Sequence, residues 1–179
     1  MSSLKQVSSG PVRSLLGNRC NSRPILAIGT SKAAINTSAA AECTIDGIIY
    51  NLGAQTSTAL VATAASHLPT SEAGYLQPSG RTGFYTQPAS TTVYYVVTIN
   101  AASTVTVVQG TYDGQPIANG AGYAEGDGNV PPLPAGVAPF GMIKVVTGAT
   151  TFVPATTEFD AANVTSTFYT LSCLPSANP

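Results

Sequence analysis

Hydrophobic and polar residues alternate along several short segments of this 179-residue chain. The clearest segment is Thr91–Ile99, and Ser103–Gln109 follows it after a short turn. In the second segment Val105 and Val107 fall on one face, and threonines occupy the other. Alternation with a period of two is typical of a strand that has one buried and one solvated face. The pattern therefore predicts that these segments pair as antiparallel strands.

A second pair of strands is predicted around the dipeptide Asp46–Gly47. The residues before it, Cys43–Ile45, and after it, Ile48–Tyr50, are rich in β-branched side chains. Asp-Gly readily adopts the positive φ angles of a type I′ turn, which is the tightest connection between two antiparallel strands. We therefore expect a β-hairpin here.

Shorter apolar runs predict further strands. They lie at 25–28, 142–147, 151–153 and 168–174. Residues 25–43 as a whole are compatible with one short helix or with an extended crossing. Residues 58–65 are compatible with a strand or a helix. Seven to nine short strands at regular spacing indicate an all-β fold, an antiparallel β-sandwich or a jelly-roll-like domain.

The pattern also divides the chain into an arm and a body. Few side chains are apolar between Pro11 and Pro24, and residues 1–32 are predicted to be an extended basic N-terminal arm. Residues 33–179 are predicted to form the β-sandwich body. Gly and Pro concentrate near 69–90 and 110–129, which indicates two turn-rich insertions.

Composition supports this fold class. Charged residues make up 8% of the chain, against about 25% in ordinary soluble domains. A charged helical bundle is excluded on this ground, because its exposed faces need Lys, Glu and Arg.

Charge is distributed unevenly, although the net charge is only −1. The first 32 residues carry five cations and no acid, and the remainder carries two cations and eight acids. The cations of the arm are Lys5, Arg13, Arg19, Arg23 and Lys32. A basic segment on an acidic body is typical of an arm that docks on an acidic partner, and a solvated, disordered terminus is the alternative. Val12, Leu15 and Leu16 could anchor such an arm in a groove.

The residues give little support for catalysis or metal binding. His67 is the sole histidine, and a Ser–His–Asp triad would need it together with Ser66 or Ser71. The sequence has no GxSxG motif that would form a nucleophile elbow. The acidic loop Glu125–Asn129 departs from the EF-hand pattern. We expect no enzyme activity, no metal site and no cofactor.

Three cysteines, Cys20, Cys43 and Cys173, do not form a disulfide framework, since their number is odd and their spacing irregular. No CxxC motif is present for zinc. Buried or half-buried free thiols are expected, which suits synthesis in a reducing cytoplasm.

Nucleic acid and membranes are not expected as partners. The arm has no aromatic residue on which a base could stack, and the acidic body would repel a duplex. The apolar run 25–28 is too short for a signal peptide, and no stretch approaches the ~20 apolar residues of a membrane helix.

Three segments resemble small β-rich proteins encoded among the head genes of tailed bacteriophages. These segments are 44–50, 133–145 and 156–171, and the resemblance covers about residues 25–175 in the same order. Members of that group are capsid decoration (cement) proteins or head-fibre proteins.

The resemblance implies a trimeric β-sandwich knob seated where major capsid subunits meet. It implies a structural protein of the virion, made in the host cytoplasm and bound to the outer capsid surface. The predicted capsid-binding residues are then Lys5, Val12, Arg13, Leu15, Leu16, Arg19 and Arg23.

A host- or glycan-binding tip of a head fibre or tail fibre is the alternative function. Aromatic side chains in the two turn-rich insertions could stack on sugars. These possible outward-facing contacts are Tyr75, Phe84, Tyr85, Tyr112 and Tyr123.

Overall fold

The structure is a computed structural model that describes residues 17–61, 86–110 and 133–171. Within these ranges the chain is all-β and antiparallel, with ten strands in three sheets and no helix, consistent with a β-sandwich. The strands are β1 Arg19–Cys20, β2 Leu26–Ile28, β3 Ala34–Thr37, β4 Ala41–Ile45, β5 Ile48–Leu52, β6 Thr58–Ala59, β7 Thr92–Asn100, β8 Val105–Gln109, β9 Val137–Thr147 and β10 Val164–Thr170.

The largest sheet has four strands in the order β10-β9-β7-β8. The predicted pairing of the two central segments is confirmed, since Val97 lies opposite Val107 and Ile99 opposite Val105. Val105 and Val107 face the core, as the alternation predicts. The predicted strand at 142–147 is the second half of β9, which begins five residues earlier.

A β-bulge interrupts the pairing of β7 with β9. Val97 lies opposite Gly141, whereas the next residue, Thr98, lies opposite Pro139. Phe140 is therefore the extra residue, and the side chains that enter the core change from even to odd numbers after it. Ala138 and Phe140 face inward before this point, and Ile143 and Val145 after it.

The predicted hairpin at Asp46–Gly47 is confirmed. Asp46 has φ 50° and Gly47 has φ 80°, and they connect β4 to β5. Strand β1 pairs with the other edge of β4, which completes a three-stranded sheet in the order β1-β4-β5. The positive φ at both turn residues is the feature that selects Asp-Gly.

The region from 25 to 43 is extended. Strands β2, β3 and β6 form the third sheet, and the short helix that the sequence left open does not occur there. The first part of 58–65 is strand β6, and its residues from 62 lie outside the described part of the chain. The segment 151–153 forms an isolated bridge between Phe152 and Gln87.

The predicted boundary of the arm at residue 32 differs from the structure. Strands β1 and β2 lie before that residue and pair with β4 and β3 of the body. Cys20 and Leu26 are buried in the core, and the backbone N–H of Leu26 donates to Thr170 Oγ1 at 3.1 Å. Residues 17–32 therefore belong to the folded body because they bury apolar side chains that the body needs.

One hydrophobic core joins side chains of all three sheets. Four aromatic rings form a chain through it, from Tyr95 to Phe152, Phe159 and Phe168, with ring centroids 5.9, 5.5 and 5.3 Å apart. Two of these rings, Phe152 and Phe159, belong to the connection between β9 and β10 and hold it against the sheet.

A buried polar contact accompanies these rings. Gln87 is fully buried, and its Nε2 donates to the carbonyls of Thr91 and Val145, each at 3.1 Å. Its Oε1 accepts from the hydroxyl of Tyr95 at 3.1 Å. The amide is therefore satisfied, which removes the cost of burying it.

The outer face of the four-stranded sheet is not uniformly solvated. Val96 and Val108 lie opposite each other on this face and are 3% and 2% exposed. Thr98, also buried, shares a hydrogen bond of 2.9 Å with Thr106. Over β9 and β10 the same face does reach solvent, at Val146 and Tyr169.

Candidate docking surface

Two of the seven predicted arm residues, Arg19 and Arg23, lie in the described part of the chain. Arg19 is in β1 and is half-buried, and Arg23 follows that strand and is exposed. The others lie outside the described residues: Lys5, Val12, Arg13, Leu15 and Leu16. The point from which the basic segment enters the body is therefore β1.

Strand β1 contributes to an outward face of its sheet, which we call the N-terminal face. Register and alternation place two rows of side chains on it: Arg19, Thr44 and Ile49 in one row, and Asn21, Glu42 and Asn51 in the other. The row between them, Cys20, Cys43 and Tyr50, points toward the core.

Hydrogen bonds hold the side chains of the N-terminal face in place. Asn21 Nδ2 donates to Thr44 Oγ1 at 2.9 Å, and Arg19 Nε donates to Asn21 Oδ1 at 3.3 Å. Asn18 Oδ1 accepts from the backbone N–H of Asp46 at 2.7 Å, which fixes the hairpin turn to the start of β1. The guanidinium of Arg19 thus has a defined position on a sheet, not on a free tail.

An apolar side chain is exposed beside this polar network. Ile49 is 65% exposed in the row of Arg19, whereas the exposed Ile48 lies on the opposite side of the sheet, paired with Ile45. Large exposed aliphatic groups next to a charge and amides are a composition that suits contact with another protein. The predicted hairpin already implies that Thr44 and Ile49 share one face. That Arg19 lies on the same face could not be predicted, because it depends on the pairing of β1 with β4.

Lys32 does not act as an arm residue. Its Nζ lies 2.6 Å from Asp160 Oδ2, and its backbone carbonyl accepts from the N–H of Phe159 at 3.0 Å. The hydrogen bond and the charge of Asp160 raise the pKa of Lys32. This cation is already matched by an acid of the same chain.

Two of the three cysteines lie directly opposite each other beneath the N-terminal face. Cys20 and Cys43 are both buried and both free thiols, as expected from the sequence, while Cys173 lies outside the described residues. A hydrogen bond from Cys43 is the main cause that lowers the pKa of Cys20, to about 6. The same hydrogen bond raises the pKa of Cys43.

The described residues contain no group of three or more His, Cys, Asp or Glu side chains that could hold a metal ion. Within the same ranges no helix is long and apolar enough to cross a membrane. The remaining candidates from the sequence lie outside these ranges: His67, the loop 125–129, and the aromatics Tyr75, Phe84, Tyr85, Tyr112 and Tyr123.

Comparisons with protein-family models, with curated proteins and with solved structures find no match to this chain.

Proposed function

We propose that this chain is a structural protein of a bacteriophage virion, which decorates and stabilises the capsid. It binds the outer surface of the major capsid protein through its N-terminal segment, as a homotrimer, and has no enzymatic activity. It is made in the host cytoplasm and has neither nucleic acid nor a membrane as a partner.

The observation that carries this proposal is the placement of the basic segment. Four cations and no acid occupy residues 1–24, and this part of the chain joins the body at β1, at the edge of a folded sheet. A cationic segment steers a protein toward acidic patches on its partner. Its attachment to a rigid sheet transmits that contact to the whole domain.

The N-terminal face supplies the contact that would follow the first encounter. Arg19 is held in place by Asn21, and Ile49 offers an apolar side chain in the same row. A positioned cation and an exposed aliphatic group lose little conformational entropy on binding. Three such faces in one trimer would bind a polyvalent shell far more tightly than one, because the second and third contacts are intramolecular.

The first test measures binding to capsids of the phage that encodes the chain, prepared without this protein. The full chain is compared with a Lys5→Glu, Arg13→Glu double variant in co-sedimentation. We expect the affinity of the double variant to fall by roughly tenfold or more, since opposed like charges cost several kcal/mol.

The matched control is the Lys5→Arg, Arg13→Lys variant, which keeps both positive charges and is expected to bind like the parent chain. Equal binding of the charge-reversed variant would contradict docking through the basic segment. Absence of capsid binding by the parent chain, together with binding to glycans or host cells, would support a fibre tip instead.

A further inference from the structure

We propose that Cys20 and Cys43 are an oxidation site, at which a disulfide oxidant converts the two thiols into a cross-strand disulfide that links β1 to β4. This inference concerns the chemistry of the folded chain and does not rest on the proposed function. It starts from the register of the two strands.

The two cysteines occupy a position that suits a disulfide. The backbone N–H groups of Asn21 and Ser22 both donate to the carbonyl of Glu42, at 2.6 and 3.2 Å. The next pair along the ladder, Cys20 and Cys43, is therefore a non-hydrogen-bonded pair. Cα atoms of such pairs are about 4.5 Å apart, within the range of roughly 4.4–6.8 Å that a disulfide spans.

Both thiols also point the same way. Cys20 is 1% exposed and Cys43 is fully buried, and both belong to the core. Cys20 Sγ lies 3.4 Å from each of two backbone carbonyl oxygens, those of Ser22 and Glu42, and can donate to either. The two side chains therefore lie on the core side of the same ladder position, and their sulfurs share a hydrogen bond.

The hydrogen bond between the two cysteines favours a thiolate at Cys20 and a thiol at Cys43. Cys20 deprotonates more readily than an ordinary cysteine because Cys43 and Ser22 donate to its sulfur. The thiolate, not the thiol, attacks a disulfide. Because β1 is an edge strand with two residues in the ladder, a transient local opening at this edge exposes the sulfur to an oxidant.

The reaction is an ordinary thiol–disulfide exchange. The Cys20 thiolate attacks one sulfur of oxidised glutathione, and one glutathione thiolate leaves. Cys43 then loses its proton to solvent and attacks Cys20 Sγ, and the second glutathione leaves. Two electrons pass from the cysteine pair to the oxidant, which ends as two glutathione thiols.

The new bond would close a covalent ring through residues 20–43, which contains β2 and β3. A ring of this size restricts the unfolded chain, and we expect the melting temperature to rise by roughly 5–10 °C on oxidation. The first strand of the fold would then be covalently attached to the hairpin beside it.

The test uses the full-length chain with Cys173→Ser, so that only this pair can react. The native protein is treated with oxidised glutathione and then with an alkylating agent, and its intact mass and linked peptides are measured. We expect a loss of two hydrogen atoms, no alkylation, a peptide joining Cys20 to Cys43, and a higher melting temperature that a reducing agent reverses.

Single variants Cys20→Ser and Cys43→Ser in the same background are the controls, and each is expected to show no cross-link and no rise in melting temperature. Three results would overturn the proposal: a pair that stays reduced, glutathione adducts without a cross-link, or a cross-link that forms only after denaturant unfolds the chain. The measurement on the Cys173→Ser chain decides between these outcomes even if a single variant folds poorly.

Discussion

At the scale of single residues, Gly141 shows how closely the sheets approach each other. A Cβ added at this position would lie 2.5 Å from Leu26 Cδ2 and 3.4 Å from Leu26 Cγ. Leu26 is itself 3% exposed and has little room to move. The position therefore requires a glycine for lack of space, since it is the residue next to the bulge on a strand that packs against β2.

The variant Gly141→Ala is expected to lower the free energy of unfolding by about 1–3 kcal/mol, because it overpacks the core against Leu26. The control is Gly53→Ala, where the added Cβ meets nothing within 4 Å. There the same change removes only freedom of the unfolded chain and is expected to be neutral or slightly stabilising. Urea denaturation measures both, and equal stability of the two variants would contradict this account of Gly141.

Two other features at this scale could not be predicted from the sequence. Gln87 lies within a turn-rich insertion by sequence, yet it is fully buried and bonded to Tyr95. The pairing of Cys20 with Cys43 depends on the register between two strands whose paired cysteines are 23 residues apart in sequence. Neither fact leaves a local pattern, because both arise from contacts between distant parts of the chain.

At the scale of elements, local chemistry predicted those strands whose partner is adjacent in sequence. The β4–β5 hairpin follows from Asp-Gly, and the β7–β8 pair follows from alternation and a short turn. Strand β1 is not predicted, because its partner β4 is not the next strand in sequence. The run 25–28 is predicted as a strand but placed in the arm, because its contact with Thr170, 144 residues from Leu26, leaves no local pattern. The charge pattern of residues 1–32 does not indicate that β1 and β2 pair with strands of the body.

Two deletions separate the folded from the docking part of this segment. Deletion of residues 1–24 is expected to destabilise the body by roughly 2–4 kcal/mol, because it removes β1 and uncovers Cys43. Deletion of residues 1–16 spares every strand of the described fold and is expected to keep the melting temperature while it abolishes capsid binding.

Thermal denaturation and co-sedimentation with capsids are measured on the same two preparations. Equal melting temperatures for the two deletions would show that β1 contributes nothing to the core. Full capsid binding after deletion of residues 1–16 would contradict docking through this part of the basic segment.

At the scale of the whole molecule, the structure confirms the all-β fold that the sequence predicts. The number of chains in the assembly is a separate prediction. Exposed aliphatic side chains such as Ile25, Ile48, Ile49 and Val61 are spread over the strands and their ends. In a cyclic trimer each subunit meets the next through one pair of surfaces, and such side chains could fill that contact.

Light scattering on the purified chain is expected to give three times the chain mass of 18.1 kDa at micromolar concentration. The mass should not change in the charge-reversed variant Lys5→Glu, Arg13→Glu if the basic segment serves the capsid and not the trimer. A mass equal to one chain would contradict a preformed trimer and leave assembly to the capsid surface.

The bulge in β9 determines which side chains of this strand face the core. Side chains alternate between core and exterior, and the one extra residue at Phe140 changes the phase for everything after it. Loss of Phe140 itself would restore an unbroken ladder with β7 and leave Ile143 and Val145 facing the core. Loss of one paired residue after the bulge, such as Lys144, would instead turn Val145 outward. A change of length by one residue within β9 is therefore expected only at the bulge, whereas the loops at the ends of the strand are free of this constraint.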